Sequence, residues 1–305
     1  MTHPPHVTCS DQLLGQTIAD WLRDSLLPLP QDLKWHVGLV DEPVAWNDPR
    51  EAFAQPGLLI RAGQPGGTVR IETQDPLAWA EVEEHAPVAT IRLLPSALEA
   101  MDRLLPTFFL VALIFSLRRR GLHHVHGASV LDHSGRGWLL LGNSNSGKST
   151  TAALLASRGW GIGTDDIAFL GEQGGRVGVT GFRSRIAVRP GGMALLQASG
   201  GIHLERRNKT GFWPEELGTR WIQDIVPEIV VFTSVGEGPT RLVPLSPIDA
   251  VKRAMSWSLW ILFETTAAQE HLDLLRRLVT QARCYEANLA PDLFHAPNVL
   301  ADFLP

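Results

Sequence analysis

Residues 138–149 read WLLLGNSNSGKS, and this stretch decides the fold. From Gly142 to Ser149 it fits the phosphate-binding loop pattern G-x-x-x-x-G-K-[ST] at every fixed position. The apolar run before the loop predicts a buried strand, and residues 150–157, TTAALLAS, predict a helix that Gly159 ends. A strand, loop and helix in this order predict an α/β fold with a nucleotide-binding core. A chance Gly- and Ser-rich turn before a helix is the alternative.

The fixed positions of the loop each have a chemical reason. Gly142 and Gly147 allow a tight turn whose N–H groups converge on phosphate oxygens, and the helix points its positive end at the same oxygens. Lys148 supplies charge for the outer phosphates, and Ser149 supplies a hydroxyl for Mg²⁺. The residues that we expect to bind ATP are Gly142, Asn143, Ser144, Asn145, Ser146, Gly147, Lys148, Ser149 and Thr150.

Composition narrows the class of protein. The chain has 305 residues with 44% hydrophobic content, which suits one large or two modest domains, and its net charge of −5 argues against a nucleic-acid partner. Two cysteines, Cys9 and Cys284, form no disulfide or metal-binding pattern, so a cytoplasmic location is the default expectation. Residues 1–12 lack the features of a signal peptide. The apolar segment 108–115 is too short to cross a bilayer, so we expect no membrane partner.

The chain divides into two predicted regions. Residues 1–95 predict a small β-rich N-terminal lobe without recognisable chemistry. Its predicted elements are a helix over 12–26 capped by Ser10, strands over 35–39 and 88–93, and a hairpin over 57–71. Residues 96–305 predict the P-loop domain. Its predicted elements are a helix over 95–120, strands over 124–131, 228–233 and 283–288, a strand with a turn over 176–188, and a mobile loop over 200–217.

Asp165 and Asp166 lie within the otherwise apolar residues 159–170. Two adjacent carboxylates at a strand end are costly unless positive charge compensates them. Because they follow a phosphate-binding loop so closely, Mg²⁺ is the obvious partner. An ordinary Asp-Asp turn is the alternative.

His126-Gly127, the loop and Asp165-Asp166 together resemble the HPr kinase/phosphorylase family, whose ATP-binding fold is shared with phosphoenolpyruvate carboxykinase. The resemblance covers residues 122–170 well and extends loosely to the C-terminus. It implies an HPr-kinase-like core and a kinase that uses ATP and Mg²⁺. In that mechanism Lys148 would act on the phosphates and Ser149 and Asp166 would hold Mg²⁺. Asp165 would accept the hydroxyl proton, facing His126, which would orient or tune it.

The chain departs from that family after the Asp pair. HPr kinases carry a Gly-rich signature with an acidic metal ligand there, whereas residues 181–192 contain arginines and no acid. The chain looks more like divergent members that accompany peptide-modification systems, some of which phosphorylate a serine of a precursor peptide. We therefore expect γ-phosphoryl transfer to a hydroxyl, with a protein or peptide that carries the acceptor serine as partner. A small-molecule kinase and an ATP-binding regulatory or assembly module stay open as alternatives.

Three arginines are candidates to neutralise the transferring phosphate or to bind an anionic substrate: Arg183, Arg185 and Arg189. Strand alternation would place the first two on one face, and a solvated strand face is the alternative. His126 could also be a satisfied core histidine. A metal site formed by His123, His124 and His126 is not favoured, because no further Cys or His supports such a site.

Residues 255–263, MSWSLWILF, are apolar enough to form an interface. The HPr kinases that this chain resembles are oligomers. We therefore expect a homo-oligomer.

Overall fold

The computed structural model describes residues 6–25, 29–43, 53–55, 57–62, 68–75, 77–83, 85–196, 201–204, 208–262 and 265–295. The chain forms two compact units, Met1–His123 with Trp260–Glu270, and His124–Leu259 with His271–Pro305. The sequence predicts a boundary near residue 95 instead. The helix that follows Pro95 belongs to the first unit, because its apolar residues pack against strands of that unit's sheet.

The first unit contains a seven-stranded mixed sheet. Its strands are β1 (His6–Cys9), β2 (Lys34–Leu39), β3 (Phe53–Gln55), β4 (Leu58–Ala62), β5 (Val69–Thr73), β6 (Ala78–Val82) and β7 (Val88–Leu93). They lie in the order β1-β2-β7-β6-β5-β4-β3, in which β1, β2 and β7 are parallel and the remaining neighbours are antiparallel. Strand β7 buries Ala89, Ile91 and Leu93 on one face, as a period of two requires. The turn of the predicted hairpin, residues 63–67, lies outside the described residues.

The first helix, α1 (Gln12–Asp24), has an N-cap residue that differs from the predicted one. Asp11 is the cap, because its Oδ1 accepts a 2.8 Å hydrogen bond from the Leu14 amide, so the prediction of Ser10 is wrong. The helix buries Leu14, Ile18 and Leu22, which are spaced by four residues and share one face.

A continuous helical segment runs from Pro95 to Arg118. It comprises a 3-10 turn (Pro95–Ala100), α2 (Met101–Leu104), a π-helical stretch (Leu105–Phe109) and α3 (Leu110–Arg118). Pro106 lies in the π-helical stretch, where its missing N–H suits a widened turn. By length and composition alone the segment could cross a membrane, unlike the shorter run 108–115. However, 56% of its most apolar window is buried within the protein, as in a core helix.

The second unit is built on a nine-stranded sheet. Its strands are β8 (His123–Leu131), β9 (Gly137–Leu141), β10 (Gly161–Thr164), β11 (Ile167–Gln173), β12 (Arg176–Gly181), β16 (Asp224–Ile225), β17 (Pro227–Val235), β18 (Arg241–Pro244) and β19 (Arg283–Leu289). The order is β16-β12-β11-β8-β9-β17-β19-β18, and β10 also pairs with β8. Strands β9, β17 and β19 are parallel, and β8 and β9 form an antiparallel hairpin. The chain is therefore a mixed α/β protein, as its sequence predicts.

A three-stranded sheet in the order β13-β15-β14 completes this unit, from β13 (Ile186–Val188), β14 (Ile202–Leu204) and β15 (Lys209–Phe212). Residues 200–217 were expected to form a mobile loop, and this is wrong for the part that the structure describes, because β15 pairs on both sides and buries Phe212. The helices are α4 (Lys148–Ala156), α5 (Pro190–Leu196), α6 (Pro247–Ser256) and α7 (Thr265–Gln281). The 3-10 turns are Pro214–Leu217, Leu259–Leu262 and Pro291–Phe294.

Candidate active site

The predicted phosphate loop joins β9 to α4. Gly147 precedes the helix with a φ of +92°, in the region that favours glycine. A Cβ on Gly142 would lie 2.6 Å from both Ser146 Oγ and the Thr233 carbonyl oxygen, so only glycine fits there. Ser146 Oγ is also 2.8 Å from Thr233 Oγ1, which ties the loop to β17. Strand, loop and helix thus lie where the sequence places them.

Lys148 is the first residue of α4, and its side chain folds back over the loop. Its Nζ donates hydrogen bonds to the carbonyl oxygens of Gly142, at 2.8 Å, and Asn143, at 2.7 Å. Burial lowers the pKa of Lys148 to about 8, whereas the charges of Asp166 and Asp165 raise it. The ammonium group therefore lies in a dry cradle in which phosphate oxygens could replace the carbonyls as acceptors.

Asp165 and Asp166 form the turn between β10 and β11. Asp166 has a φ of +82°, which is unusual for a residue other than glycine. This backbone conformation turns the side chains of Asp165 and Asp166 in different directions. The Asp166 carbonyl oxygen also accepts a 3.3 Å hydrogen bond from the Gly127 amide, which fixes the turn against β8. Strained backbone of this kind is common at functional sites.

His126 contacts Asp166. The distance between His126 Nδ1 and Asp166 Oδ1 is 2.9 Å, and both side chains are partly exposed. The expectation that Asp165 faces His126 is wrong, because the left-handed turn at Asp166 brings the second carboxylate to the histidine. His126 and Asp166 both line the cavity described below.

Asp165, by contrast, is buried. Only 1% of its surface is exposed, and its Oδ2 accepts a 3.1 Å hydrogen bond from the Ala187 amide. Burial, followed by the charge of Asp166, raises the pKa of Asp165 to about 6, while the Ala187 amide, Ser149 and Lys209 act to lower it. Its Oδ1 has no hydrogen-bond partner among the described residues.

A cavity of about 780 Å³ opens beside the loop. Its polar lining includes His126, Lys148, Ser149, Asp166, Arg189 and Lys209. Its apolar lining includes Val235, Leu289, Ala290, Pro291 and Leu293. Among the predicted loop residues, Ser144, Asn145, Gly147 and Thr150 also line it. The volume is within the range of small-molecule sites, and the lining combines charged groups with an apolar surface.

Two of the three candidate arginines do not line this cavity. Residues 182–185 lie outside the strands, so the shared strand face predicted for Arg183 and Arg185 is wrong. Arg183 lies over the ring of Trp221 at 5.7 Å, and Arg185 lies over Trp213 at 4.8 Å. Arg185 also bonds Glu216 Oε2 at 2.8 Å.

Arg189 is the candidate arginine that reaches the cavity. It precedes α5, and it is exposed. The short strand β13 separates it from Arg185, which explains why neighbouring arginines have different surroundings.

The other histidines of β8 do not form a metal site with His126. His124 is buried with its ring against Phe169 at a centroid distance of 5.9 Å, and burial lowers its pKa to about 4. His123 lies in the first unit, where its Nε2 is 3.6 Å from Glu270 Oε2.

Two parts of the cavity lining have little or no signal in the sequence. Lys209 begins β15 and adds a second ammonium group near Asp165. The sequence ranks it below the three arginines as a residue that could neutralise the transferring phosphate or bind an anionic substrate. The apolar wall at the end of β19 carries no motif, so only tertiary structure reveals it.

The donor set suits Mg²⁺. That ion prefers oxygen ligands, retains several waters and is usually held by one or two carboxylates together with substrate phosphates. The Ser149 hydroxyl and the two carboxylates are oxygen donors, and the buried, unpartnered Oδ1 of Asp165 is costly without a cation or water nearby. The described residues contain no group of three or more His, Cys, Asp or Glu side chains that could hold a metal alone. Water and substrate phosphates would therefore supply the remaining ligands.

Comparisons with known proteins show only a distant relationship in fold. The chain matches no protein-family model and no curated protein. Among solved structures it is similar to the Hpr(Ser) kinase/phosphatase from Coxiella burnetii, with 12% identity and a TM-score of 0.30. That match covers 59% of this chain and 94% of the other. At this identity the roles of the cavity residues have to be argued from their own geometry.

Proposed function

We propose that this protein is an ATP-dependent kinase that transfers the γ-phosphoryl group to a hydroxyl, with a serine of a protein or peptide as acceptor. One observation carries the proposal: a single cavity combines a phosphate-binding loop and its lysine with a histidine–carboxylate pair. Phosphoryl transfer requires charge neutralisation and a positioned group that accepts the hydroxyl proton. Those requirements correspond to Lys148 and to Asp166 with His126.

The loop would hold the triphosphate. Backbone N–H groups at the start of α4 and the positive end of its dipole favour phosphate oxygens. Lys148 would exchange the carbonyl oxygens of Gly142 and Asn143 for phosphate oxygens. Arg189 and Lys209 also line the cavity and would add positive charge where the γ-phosphate and an acceptor meet.

Asp166 would accept the acceptor's proton. It lines the cavity, whereas Asp165 is buried behind it, and His126 fixes one of its oxygens. As the proton moves to Asp166, the acceptor oxygen bonds to the γ-phosphorus and the bond from phosphorus to the bridging oxygen breaks, which leaves ADP. This assignment reverses the roles that the resemblance implies for the two aspartates.

Asp165 and Ser149 would face the metal. Mg²⁺, when bound with the nucleotide, neutralises charge on the phosphates. Ser149 would be a direct ligand. The free Oδ1 of Asp165 would accept hydrogen bonds from metal-bound water or bind the ion itself.

The test uses radiolabelled γ-phosphate ATP, Mg²⁺ and a degenerate serine peptide library, with a library of the same composition that has alanine for serine. Label should enter the serine library alone, and Asp166→Asn should abolish this. Label in neither library, together with stoichiometric nucleotide binding, would overturn the kinase proposal and leave an ATP-binding regulatory module. Label that enters only small hydroxyl compounds would overturn the peptide acceptor.

We further propose that the protein acts in the cytoplasm as a homo-oligomer. Met255 and Leu259 are 37% and 53% exposed, respectively, and form an apolar surface near the end of α6. Light scattering at micromolar concentration should give a mass above that of one chain. A monomeric mass there would contradict the oligomer.

A further inference from the structure

The apolar lining of the cavity is formed mainly by one short segment. It comprises the last residue of β19, Leu289, and the 3-10 turn that follows. Leu289 packs closely on the loop, because a Cβ on Gly147 would lie 3.0 Å from Leu289 Cδ1. The segment and Val235 form what we call the apolar wall, residues Val235, Leu289, Ala290, Pro291 and Leu293.

Asp292 holds this wall in place through Thr240. The Thr240 amide donates a bifurcated hydrogen bond to the two oxygens of the Asp292 carboxylate, at 3.1 and 2.9 Å, and the Thr240 hydroxyl donates another, at 2.6 Å. The hydroxyl oxygen of Thr240 in turn accepts a 3.1 Å hydrogen bond from the Ala290 amide. Thr240 is 2% exposed, and Asp292 is partly buried.

The Asp292–Thr240 pair therefore connects two chain segments that both reach the cavity. Thr240 lies between β17, which ends at Val235, and β18. Asp292 lies within the turn that carries Pro291 and Leu293. Hydrogen bonds with a charged acceptor are stronger than neutral ones, and a wall formed by a short 3-10 turn has little intrinsic stability.

We propose that the apolar wall binds the nucleobase of the donor nucleotide and that Asp292 and Thr240 are positioning residues that fix the wall. The proposal rests on the proposed function, since it assigns the base of the same nucleotide whose phosphates the loop would hold. The two flat faces of a purine are apolar, so removing them from water is favourable. The apolar wall offers a surface that can cover such a face in the cavity beside the loop. The polar lining of the same cavity includes the cations that phosphates need, Lys148, Arg189 and Lys209.

Calorimetric titration of the full chain with Mg²⁺-ATP and with Mg²⁺-tripolyphosphate tests this. Tripolyphosphate shares the phosphates of ATP and lacks the base. Asp292→Ala and Thr240→Val should weaken ATP binding about tenfold or more and leave tripolyphosphate binding within about twofold. Thr240→Ser keeps the hydroxyl and should restore ATP binding. Asp249→Ala is the matched control, because Asp249 bonds Ser246 Oγ at 2.7 Å at the start of α6, whose residues do not line the cavity.

The outcomes separate this proposal from the kinase proposal. If the variants weaken the binding of both ligands equally, or weaken the binding of neither, the assignment of the base is overturned, while phosphate binding by the loop stands. A wild-type protein that binds neither ligand would overturn both. If Asp292→Ala does not fold, Leu293→Ala removes wall surface directly, and it should likewise weaken ATP binding and spare tripolyphosphate.

Discussion

His126 Nδ1 lies 2.9 Å from Asp166 Oδ1, and both residues line the cavity. The neighbouring carboxylate, Asp165, is buried, and its Oδ2 accepts a hydrogen bond from the Ala187 amide. Adjacent positions in the sequence thus provide one exposed, oriented carboxylate and one buried carboxylate. Different environments of this kind allow two acidic groups to perform different tasks.

Asp166→Asn should abolish most of the transfer and spare nucleotide binding. If Asp166 accepts the hydroxyl proton, its amide variant should transfer roughly 10²–10⁴-fold more slowly, the usual size of a general-base contribution. Affinity for Mg²⁺-ATP should change little. Single-turnover transfer and calorimetric titration measure the two quantities. His126→Ala, which removes the residue that orients Asp166, should slow transfer by less.

The opposite pattern would return the roles to those that the resemblance implies. In that case Asp165→Asn would slow transfer and keep the Mg²⁺ dependence of nucleotide binding, while Asp166→Asn would lose that dependence. Normal transfer by both variants would contradict any catalytic use of this pair.

Asp165 should also make stability depend on pH. Its folded-state pKa is raised from 3.8 to about 6, so the unfolded chain loses this proton first and stability falls as pH rises through that interval. The Asp165→Asn variant has no carboxyl group that titrates at this position. Without Mg²⁺ or nucleotide, its free energy of unfolding relative to the wild type should therefore rise by about 2 kcal/mol between pH 4.5 and pH 8. Urea unfolding in EDTA measures it. If the difference in unfolding free energy between the variant and the wild type stays constant with pH, or falls, the pKa of Asp165 is not raised in the folded protein.

The sequence predicts the strand, loop and helix around Lys148 because each depends on local rules. A buried apolar run forms a strand, glycines allow the turn, and small residues form the helix. The hairpin of β8 and β9 follows from a short polar turn between two apolar runs. Such features need no knowledge of distant residues.

Other features depend on contacts between distant residues and were missed or misassigned. A φ of +82° at Asp166 is stabilised by tertiary contacts such as the bond from the Gly127 amide, and strand alternation does not reveal it. The stacking of Arg183 on Trp221 joins residues far apart in sequence, as does the apolar wall near Leu289. Thr210 and Phe212 lie in a segment whose composition resembles a loop, and pairing with β13 and β14 makes it a strand.

Lys148→Ala should remove nucleotide binding while the protein stays folded. The Lys148 ammonium group donates hydrogen bonds to two carbonyl oxygens of its own loop, so its loss should cost little stability, whereas phosphate binding would lose its main cation. Affinity for Mg²⁺-ATP should fall about 100-fold or more. Lys252→Ala is the control, since Lys252 is 71% exposed on α6. Wild-type affinity in Lys148→Ala would exclude the loop as the phosphate site.

Gly142→Ala should distort the loop. The new Cβ would lie 2.6 Å from the Thr233 carbonyl oxygen, which belongs to a central strand and has little freedom to move, and 2.6 Å from Ser146 Oγ. Overpacking of this kind costs about 1–3 kcal/mol, and here the backbone of the loop is the part that can shift. Thermal unfolding should show the loss of stability, and titration with Mg²⁺-tripolyphosphate should show weaker binding, because the loop amides would no longer converge. Gly38→Ala is the matched control, since its Cβ would approach Arg92 no closer than 3.7 Å. If Gly142→Ala binds tripolyphosphate like the wild type, convergence of the loop amides is not what holds the phosphates.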